Sequence, residues 1–182
     1  NACRALVKLP ENLDTSNGTN FNDFCSGCAT LVKLPDNLNT SNGTSFNNFC
    51  YNTLSLVKLP DSLDTSKGTD FRYFCTNGYS LKSVPKITMA ENTSNVTSSI
   101  YRPFKSTIWL KDIFLTLPSN GNFYLDSSSR ISIESFRYIA DHAPDVTATP
   151  FTLTVGSTNI SRINEADPTI ITDLNAKGWT VA

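Results

Sequence analysis

The sequence predicts an α/β fold built as a solenoid of stacked repeats, with a parallel sheet along one face. Two observations predict it: an apolar pentapeptide recurs, and the interval between its copies is constant. Leu-Val-Lys-Leu-Pro occurs at 6–10, 31–35 and 56–60, and the related Leu-Lys-Ser-Val-Pro occupies 81–85, so the step is 25 residues each time. A fixed period of this size is typical of stacked repeats, in which each unit buries its apolar side only against its neighbours.

Each repeat is predicted to run from a strand through a turn into a short helix. Leu6 to Leu9 forms the strand, which Pro10 ends because proline has no N–H for a sheet ladder. Residues 14–19 are turn formers, and Thr19 is a predicted helix N-cap. Apolar side chains at i, i+3, i+4 and i+7 then define one helix face. The predicted core columns are Phe21, Phe24, Cys25 and Cys28 in the first repeat, Phe46, Phe49 and Cys50 in the second, and Phe71, Phe74 and Cys75 in the third.

The regular repeats are predicted to occupy residues 1–85, and irregular repeats and a C-terminal cap of the same solenoid to occupy 86–182. Asn92-Thr93-Ser94 lies 28 residues after Asp64-Thr65-Ser66, so three residues are inserted there. Pro103 is predicted to interrupt the fourth helix. A cap is expected because an uncovered last repeat would expose its core and a strand edge.

Three strands and two helices are predicted in the C-terminal part. The strands lie within 110–117, at 151–155 before Gly156, and at 179–181. Ser132 is predicted to cap the first helix, which ends before Pro144. Asp167 and Pro168 begin the second, which ends at Gly178, and Lys177 is expected to stabilise the carboxyl end of that same helix. The predicted inward residues are Ile133, Phe136, Ile139 and Ala140 in the first helix, and Ile171 and Leu174 in the second.

The repeat resembles a known family. Asp-Thr-Ser-Asn-Gly-Thr at 14–19, followed by Phe21, Phe24, Cys28, Leu31 and Leu34, resembles the BspA-like leucine-rich repeats of bacterial surface proteins, whose unit runs roughly D-T-S-N-V-T-x-M-x-x-M-F-x-x-C-x-x-L-x-x-L. Here Phe replaces both Met positions, Cys25 stands where Phe is usual, and Asn95-Val96-Thr97 keeps the Val form.

The resemblance covers residues 1–118. It implies a curved leucine-rich-repeat solenoid with an exposed, non-enzymatic, partner-contacting role, and it brings no catalytic residues. The segment from Ile133 to Trp179 also looks like C-terminal segments that accompany these repeats in gut-bacterial and phage-encoded proteins.

Two charged columns on the predicted strand face are the candidate binding residues. One is a lysine column and the other, three positions later, is acidic. They can form a balanced, solvated surface that guards against edge-to-edge association, or a charged stripe that meets a partner. Because the resemblance implies that this face binds, the predicted binding residues are Lys8, Lys33, Lys58, Glu11, Asp36 and Asp61.

The five cysteines are predicted to be reduced and buried. Cys25, Cys50 and Cys75 share one column, and Cys3 and Cys28 share another. Neighbouring strands about 4.8 Å apart would allow a disulfide by distance, but equivalent side chains point the same way, so the torsion would be awkward. Ligands in a line do not form a tetrahedron, and no metal site is predicted.

Two further polar features are predicted to be structural. His142 is the only histidine, and at a helix end it is expected to interact locally with the helix dipole. The threonine column at 15, 40 and 65 is explained by hydrogen bonds to the local backbone of the turn, with ice templating as the alternative.

Charge and hydropathy narrow the classes of partner. The chain has 15 Lys+Arg against 16 Asp+Glu, a formal net charge of −1, so we expect no nucleic-acid binding, which needs a basic surface. No apolar run approaches the ~18 residues that span a bilayer, and we expect no membrane insertion within this segment. Because the chain begins inside a repeat, we expect further repeats or domains upstream of Asn1.

The predicted function is a non-enzymatic extracellular binding or adhesion module that recognises a host or partner protein or glycan through the repeat face. No Ser-His or Cys-His arrangement with credible geometry and no phosphate loop is found in the sequence, and no cofactor is expected. The alternative is a structural component of a phage tail or receptor-binding appendage. The expected location is therefore extracellular, at a cell or virion surface.

Overall fold

The computed structural model describes residues 3–89 and 102–182. These residues form a mixed α/β structure with two small parallel sheets and three helices, which confirms the predicted α/β class. The strands, in chain order, are β1 (Ser83–Thr88), β2 (Asp112–Thr116), β3 (Phe123–Tyr124), β4 (Phe151–Thr154) and β5 (Trp179–Val181). The helices are α1 (Ile133–His142), α2 (Ser157–Ala166) and α3 (Thr169–Ala176).

The sheets are formed by parallel neighbours. Strand β1 pairs with β2, with Val84 opposite Ile113, and the order in the second sheet is β3-β4-β5. Helix α1 connects β3 to β4, and α2 and α3 connect β4 to β5, as parallel strands require a crossover between them. The strands predicted near 110–117, 151–155 and 179–181 are confirmed within a few residues.

Before β1 the same backbone hydrogen bonds recur from repeat to repeat. Isolated parallel bridges join Lys8 to Lys33 and Lys58 to Ser83. The prediction of a strand from Leu6 to Leu9 is therefore wrong in extent, since a single residue pairs. The N–H of Leu6 closes a turn with the carbonyl of Cys3, and proline after the last leucine has no N–H, so only the central residues remain for pairing.

The predicted short helix after the turn is wrong. The N–H groups of residues 21, 23, 25 and 27 donate to carbonyls of the next repeat, while those of 24, 26 and 28 close turns within their own. An α-helix would use these groups within the segment. The backbone is left-handed at Asp23 (φ 55°) and Gly27 (φ 72°), so the chain turns every four residues. This period places the side chains that a helix would bury on the same inner side.

Two threonine assignments are also corrected. Thr19 caps no helix, and its carbonyl instead accepts from the N–H of Thr44 at 2.8 Å. The hydroxyl of Thr40 donates to the carbonyl of Asp64 (2.7 Å) and accepts from the Asp64 N–H (2.9 Å), so it joins adjacent repeats rather than bonding its own turn. Thr65 makes the same pair of bonds to Thr88. These side chains replace backbone pairing where the chain is turning.

Two phenylalanine stacks form the centre of the repeat core. The rings of Phe21, Phe46 and Phe71 stack at 5.5 Å between centroids, and those of Phe24, Phe49 and Phe74 stack at 5.4 and 5.3 Å. Of the predicted core residues, Phe24 is partly buried, and the buried ones are Phe21, Cys25, Cys28, Phe46, Phe49, Cys50, Phe71, Phe74 and Cys75. The predicted inward columns are thus correct although the predicted helix is not.

Helix α1 is confirmed: the Ser132 hydroxyl accepts from the Ser135 N–H at 3.2 Å and caps it. Its side chains Phe136, Ile139 and Ala140 are buried as predicted, and Ile133 is partly buried.

Helix α3 is confirmed in position, with two corrections. It buries Ile170 and Leu174, an i, i+4 pair, whereas Ile171 is only partly buried. The side chain of Lys177 binds a different helix from the one predicted: its Nζ donates to the carbonyls of Ala140 (2.7 Å) and Asp141 (3.0 Å) at the carboxyl end of α1, and only its backbone N–H bonds to α3. Packing of α3 against α1 brings that terminus within reach of the lysine.

Helix α2 was not predicted, because Ile160 and Ile163 are too few apolar residues to show a period. The expected interruption of a fourth helix by Pro103 is wrong, since 103–106 is a turn whose Pro103 carbonyl accepts from the Cys75 N–H. The predictions at Asn92-Thr93-Ser94 and Asn95-Val96-Thr97 lie outside the described residues.

Candidate binding surface

One row of equivalent residues runs along the repeats on an exposed face. The N–H of Val32 donates to the carbonyl of Val7 (3.2 Å), that of Val57 to Val32 (3.5 Å), that of Lys82 to Val57 (2.8 Å), and that of Lys111 to Lys82 (2.9 Å). We call these five residues the Val–Lys row. All five side chains are exposed, apolar at one end of the row and basic at the other. The leucine before each of Val32 and Val57 is buried, and so is the leucine two residues after each valine, so the valine and the lysine between them face outward.

Exposed apolar side chains are concentrated beside this row. Within the described residues, seven large hydrophobic side chains are exposed. Three are the valines of the row, three belong to the neighbouring column of equivalent residues that begins at Ala29, and one directly follows a residue of that column. They are Val7, Val32 and Val57 in the row, Leu54, Tyr79 and Ile108 in the neighbouring column, and Trp109. Contiguous exposed apolar side chains of this kind mark contact surfaces, whereas scattered single ones carry no such meaning.

The basic end of the row opens into a cleft of about 570 Å³, which we call the Trp109 cleft. A smaller hollow lined by Val57, Lys82 and Trp109 connects it to the apolar end. The guanidinium carbon of Arg130 lies 4.3 Å from the centre of the Trp109 ring, within cation–π distance. The residues that line the cleft are Lys82, Trp109, Lys111, Asp112, Ser129, Arg130 and Arg162.

The predicted charged columns lie next to the row and pair with each other. Lys33 Nζ is 2.8 Å from Asp36 Oδ2, and Lys58 Nζ is 3.5 Å from Asp61 Oδ2. The hydrogen bond from Lys33 lowers the pKa of Asp36, and its partner Asp36 raises the pKa of Lys33. Because these side chains are about half exposed or more, each pair contributes little to stability.

The first repeat carries Lys8 and Glu11 at the same two positions, and both are exposed. The structure therefore brings the six predicted binding residues together on one strip, with the charges of the second and third repeats compensated within each repeat.

Four of the five cysteines are buried and Cys3 is exposed, so the prediction that all five are buried is wrong for Cys3. Cys3 lies at the beginning of the described residues, whereas its column neighbour Cys28 is buried between the first and second repeats. A thiol hydrogen bond with Cys50, together with burial, raises the pKa of Cys25, and burial raises the pKa of Cys50. Buried neutral thiols pack as small apolar side chains. No disulfide joins any of these cysteines in the structure.

His142 interacts with its own helix. Its Nδ1 lies 2.8 Å from the carbonyl oxygen of Tyr138, and the two rings stack at 3.9 Å. Within residues 3–89 and 102–182, no three His, Cys, Asp or Glu side chains are grouped closely enough to hold a metal ion. In the same ranges, no helix combines the length and the apolar character needed to cross a bilayer.

No protein-family model, curated protein or solved structure matches this chain.

The Trp109 cleft was not predicted from the sequence, and the sequence pattern indicates only those of its residues that belong to the repeats. Valine recurs beside the lysine of each Leu-Val-Lys-Leu-Pro segment, and Lys82 stands at that valine position, so the row could have been traced from the repeats. Arg130 and Arg162 belong to the part of the chain without a repeat, and no spacing relates them to Trp109. Their position in the cleft depends on how α1 and α2 pack on the last repeat.

Proposed function

We propose that this chain is a non-enzymatic binding or adhesion module of the BspA-like leucine-rich-repeat type, located outside the cell at a cell or virion surface. The observation that carries the proposal is the collection of exposed large hydrophobic side chains on one face, along the Val–Lys row and the neighbouring column. The 25-residue steps of the backbone hydrogen bonds support the solenoid architecture in which such a face is continuous.

The partner of this face is a protein or a glycan. Val32 and Val57 offer apolar area at the centre of the row, and the paired charges at Lys33 and Asp36 form a polar rim beside it. An apolar centre with a polar border is the general organisation of protein contact surfaces. The ion pairs would then set orientation and association rate more than affinity.

Binding of the purified chain to panels of immobilised extracellular matrix proteins and glycans tests the proposal. We expect Val57→Glu to weaken the binding of a captured ligand about tenfold, because a charge is placed at the centre of the apolar row. Asn37→Glu is the matched control, since Asn37 is exposed but lies in neither apolar column. Circular dichroism verifies that both variants are folded.

Two results would contradict the proposal. One is the absence of any ligand for the wild-type chain across both panels, and the other is an equal loss of affinity in Val57→Glu and Asn37→Glu.

A further inference from the structure

The Trp109 cleft concentrates positive charge that no carboxylate of the described residues neutralises in an ion pair. Its cations are Lys82, Lys111, Arg130 and Arg162, and its one carboxylate is Asp112. None of the four cations forms an ion pair with a carboxylate of the described residues. Since the whole chain has a formal net charge of −1, this local excess does not follow from composition. A concave site in which one sign of charge predominates attracts ligands of the other sign.

Arg162 is held in a fixed orientation. Its Nη1 donates to the carbonyl oxygens of Ser129 (3.0 Å) and Ile131 (2.8 Å) and to Oδ1 of Asn159 (2.9 Å). Asn159 is 1% exposed, and its amide nitrogen donates to two backbone carbonyls. Its side chain is therefore fixed, and it holds the Arg162 guanidinium in one orientation. No described residue accepts from Nε or Nη2 of Arg162, which leaves donors suited to two oxygens of a carboxylate or sulfate.

Trp109 supplies an apolar surface next to these cations. Its side chain is 46% exposed even though Arg130 lies against the ring. A pyranose ring that carries an acid group presents C–H bonds on one face and the anion at its edge. It can therefore contact the indole and a neighbouring cation at the same time, which combines apolar lining with a few placed polar groups.

An extended acidic peptide matches the cleft less well. The N–H of Lys82 already donates to Val57, and those of Lys111 and Asp112 both donate to the carbonyl of Lys82. A peptide that binds by adding a strand needs unpaired backbone donors at a sheet edge, and these three residues offer none. Recognition at this site depends on side chains, as it does for a saccharide.

We propose that the Trp109 cleft binds an acidic saccharide, carboxylated or sulfated, with its ring against Trp109 and its anionic group at Arg162 and the two lysines. The inference rests on the binding function proposed above and names the class of ligand for one part of the face. Carboxylated and sulfated sugars share the chemistry on which the assignment depends.

Titration with defined tetrasaccharides tests the assignment. The probes are a sulfated heparin tetrasaccharide, tetragalacturonate, and neutral maltotetraose, followed by calorimetry and tryptophan fluorescence. The fluorescence response reports on Trp109, because the other tryptophan, Trp179, is 1% exposed. We expect at least one acidic probe to bind, more weakly as salt is added, and the neutral probe not to bind.

Variants distinguish binding in the Trp109 cleft from electrostatic attraction to lysines elsewhere on the surface. We expect Lys82→Gln/Lys111→Gln and Trp109→Ala each to lower affinity for the acidic probe about tenfold. Lys105→Gln is the matched control, an exposed lysine outside the cleft, and is expected to stay within about twofold of wild type. Arg162 is left unchanged because its hydrogen bonds also support the fold.

The outcomes distinguish this inference from the broader function. Equal affinity for neutral and acidic probes, or an equal loss in Lys105→Gln, overturns the saccharide assignment. The saccharide assignment is also overturned if none of the three probes binds the wild-type chain, although that chain binds a captured protein ligand and Val57→Glu loses this binding. The binding function then stands. If an acidic probe binds the cleft but Val57→Glu affects no partner, the cleft assignment is supported and the binding role of the apolar row is wrong.

Discussion

A glycine stands three residues before each phenylalanine of the first stack, at Gly18, Gly43 and Gly68. A Cβ added to Gly43 would lie 2.5 Å from Cζ of Phe46 and 2.9 Å from the carbonyl oxygen of Thr40. The backbone angles at these glycines are not left-handed, so the requirement is for space rather than for conformation. The aromatic ring fills the volume that a side chain at the glycine would need.

We expect Gly43→Ala to destabilise the protein by about 1–3 kcal/mol, because the new methyl group displaces the Phe46 ring in a closely packed core. Urea unfolding followed by circular dichroism measures the change. Phe46→Leu alone also destabilises by leaving a cavity, but the double variant is expected to lose less than the sum of the two. Additive losses would show that Gly43 and Phe46 do not compete for the same space.

Thr40 is the second residue whose contribution to stability can be measured separately, through its buried hydroxyl. Thr40→Val keeps the shape but leaves the N–H and carbonyl of Asp64 without their partner, and we expect a loss of about 1–3 kcal/mol in urea unfolding. Thr40→Ser is expected to retain most of the stability. Thr15→Val is the matched control in the more exposed first repeat, where water can replace the hydroxyl, and a loss as large as that of Thr40→Val would refute the explanation.

At the scale of the elements, apolar spacing predicted the core but not the backbone. Phe46 and Cys50 are four residues apart, and this spacing suits both a helix and the four-residue turns that the chain forms. Asp23, Asn48 and Asn52 were a usable signal, because Asp and Asn enter the left-handed region more readily than most residues. Tyr73 adopts the same conformation (φ 55°), and nothing in its chemistry indicates it. Its conformation follows from the bonds of the neighbouring repeats.

The turn elements carry an acid-sensitive hydrogen bond. Asp64 Oδ1 accepts from the Ser66 N–H at 2.8 Å, and this bond lowers the pKa of Asp64 in the folded state. The stabilisation is present above the unfolded pKa near 4 and is lost as pH falls through the lower folded pKa. In the second repeat Asn39 makes the same bond to Ser41 with an amide oxygen, which does not titrate.

We therefore expect Asp64→Asn to become more stable relative to wild type as the pH is lowered from 7 to about 3. Urea unfolding at several pH values measures the difference in unfolding free energy. Asn39→Asp is the matched reverse exchange and is expected to add acid sensitivity to its own repeat. A difference that is independent of pH for both variants would show that these turns do not contribute to acid unfolding.

Across the whole molecule, burial increases from the first repeat inward. Leu6, Leu9 and Phe24 are partly buried, whereas Leu31 and Phe49 are 0% exposed. The repeats share the same backbone bonds, since the N–H of Cys25 donates to Phe49, that of Cys50 to Phe74 and that of Cys75 to Pro103. Equivalent backbone hydrogen bonds are therefore surrounded by less buried side chains in the first repeat than in the following ones.

We expect the amide of Cys25 to exchange with solvent faster than those of Cys50 and Cys75, because segments with fewer buried contacts open at lower free energy. Native-state hydrogen exchange resolved by NMR measures all three amides in one experiment, and the equivalent bonds serve as internal controls. Equal protection at the three positions would mean that the repeats open as one cooperative unit.

The equivalent bonds that join the first three repeats have a consequence for the gene. Since each repeat offers the following one the same donors and acceptors, an in-frame duplication or loss of one repeat's codons creates no unfamiliar junction. Recombination between such similar coding segments would lengthen or shorten the molecule by whole units while leaving the Trp109 cleft intact. Related genes are then expected to differ in the number of repeats more readily than in the residues that line the Trp109 cleft.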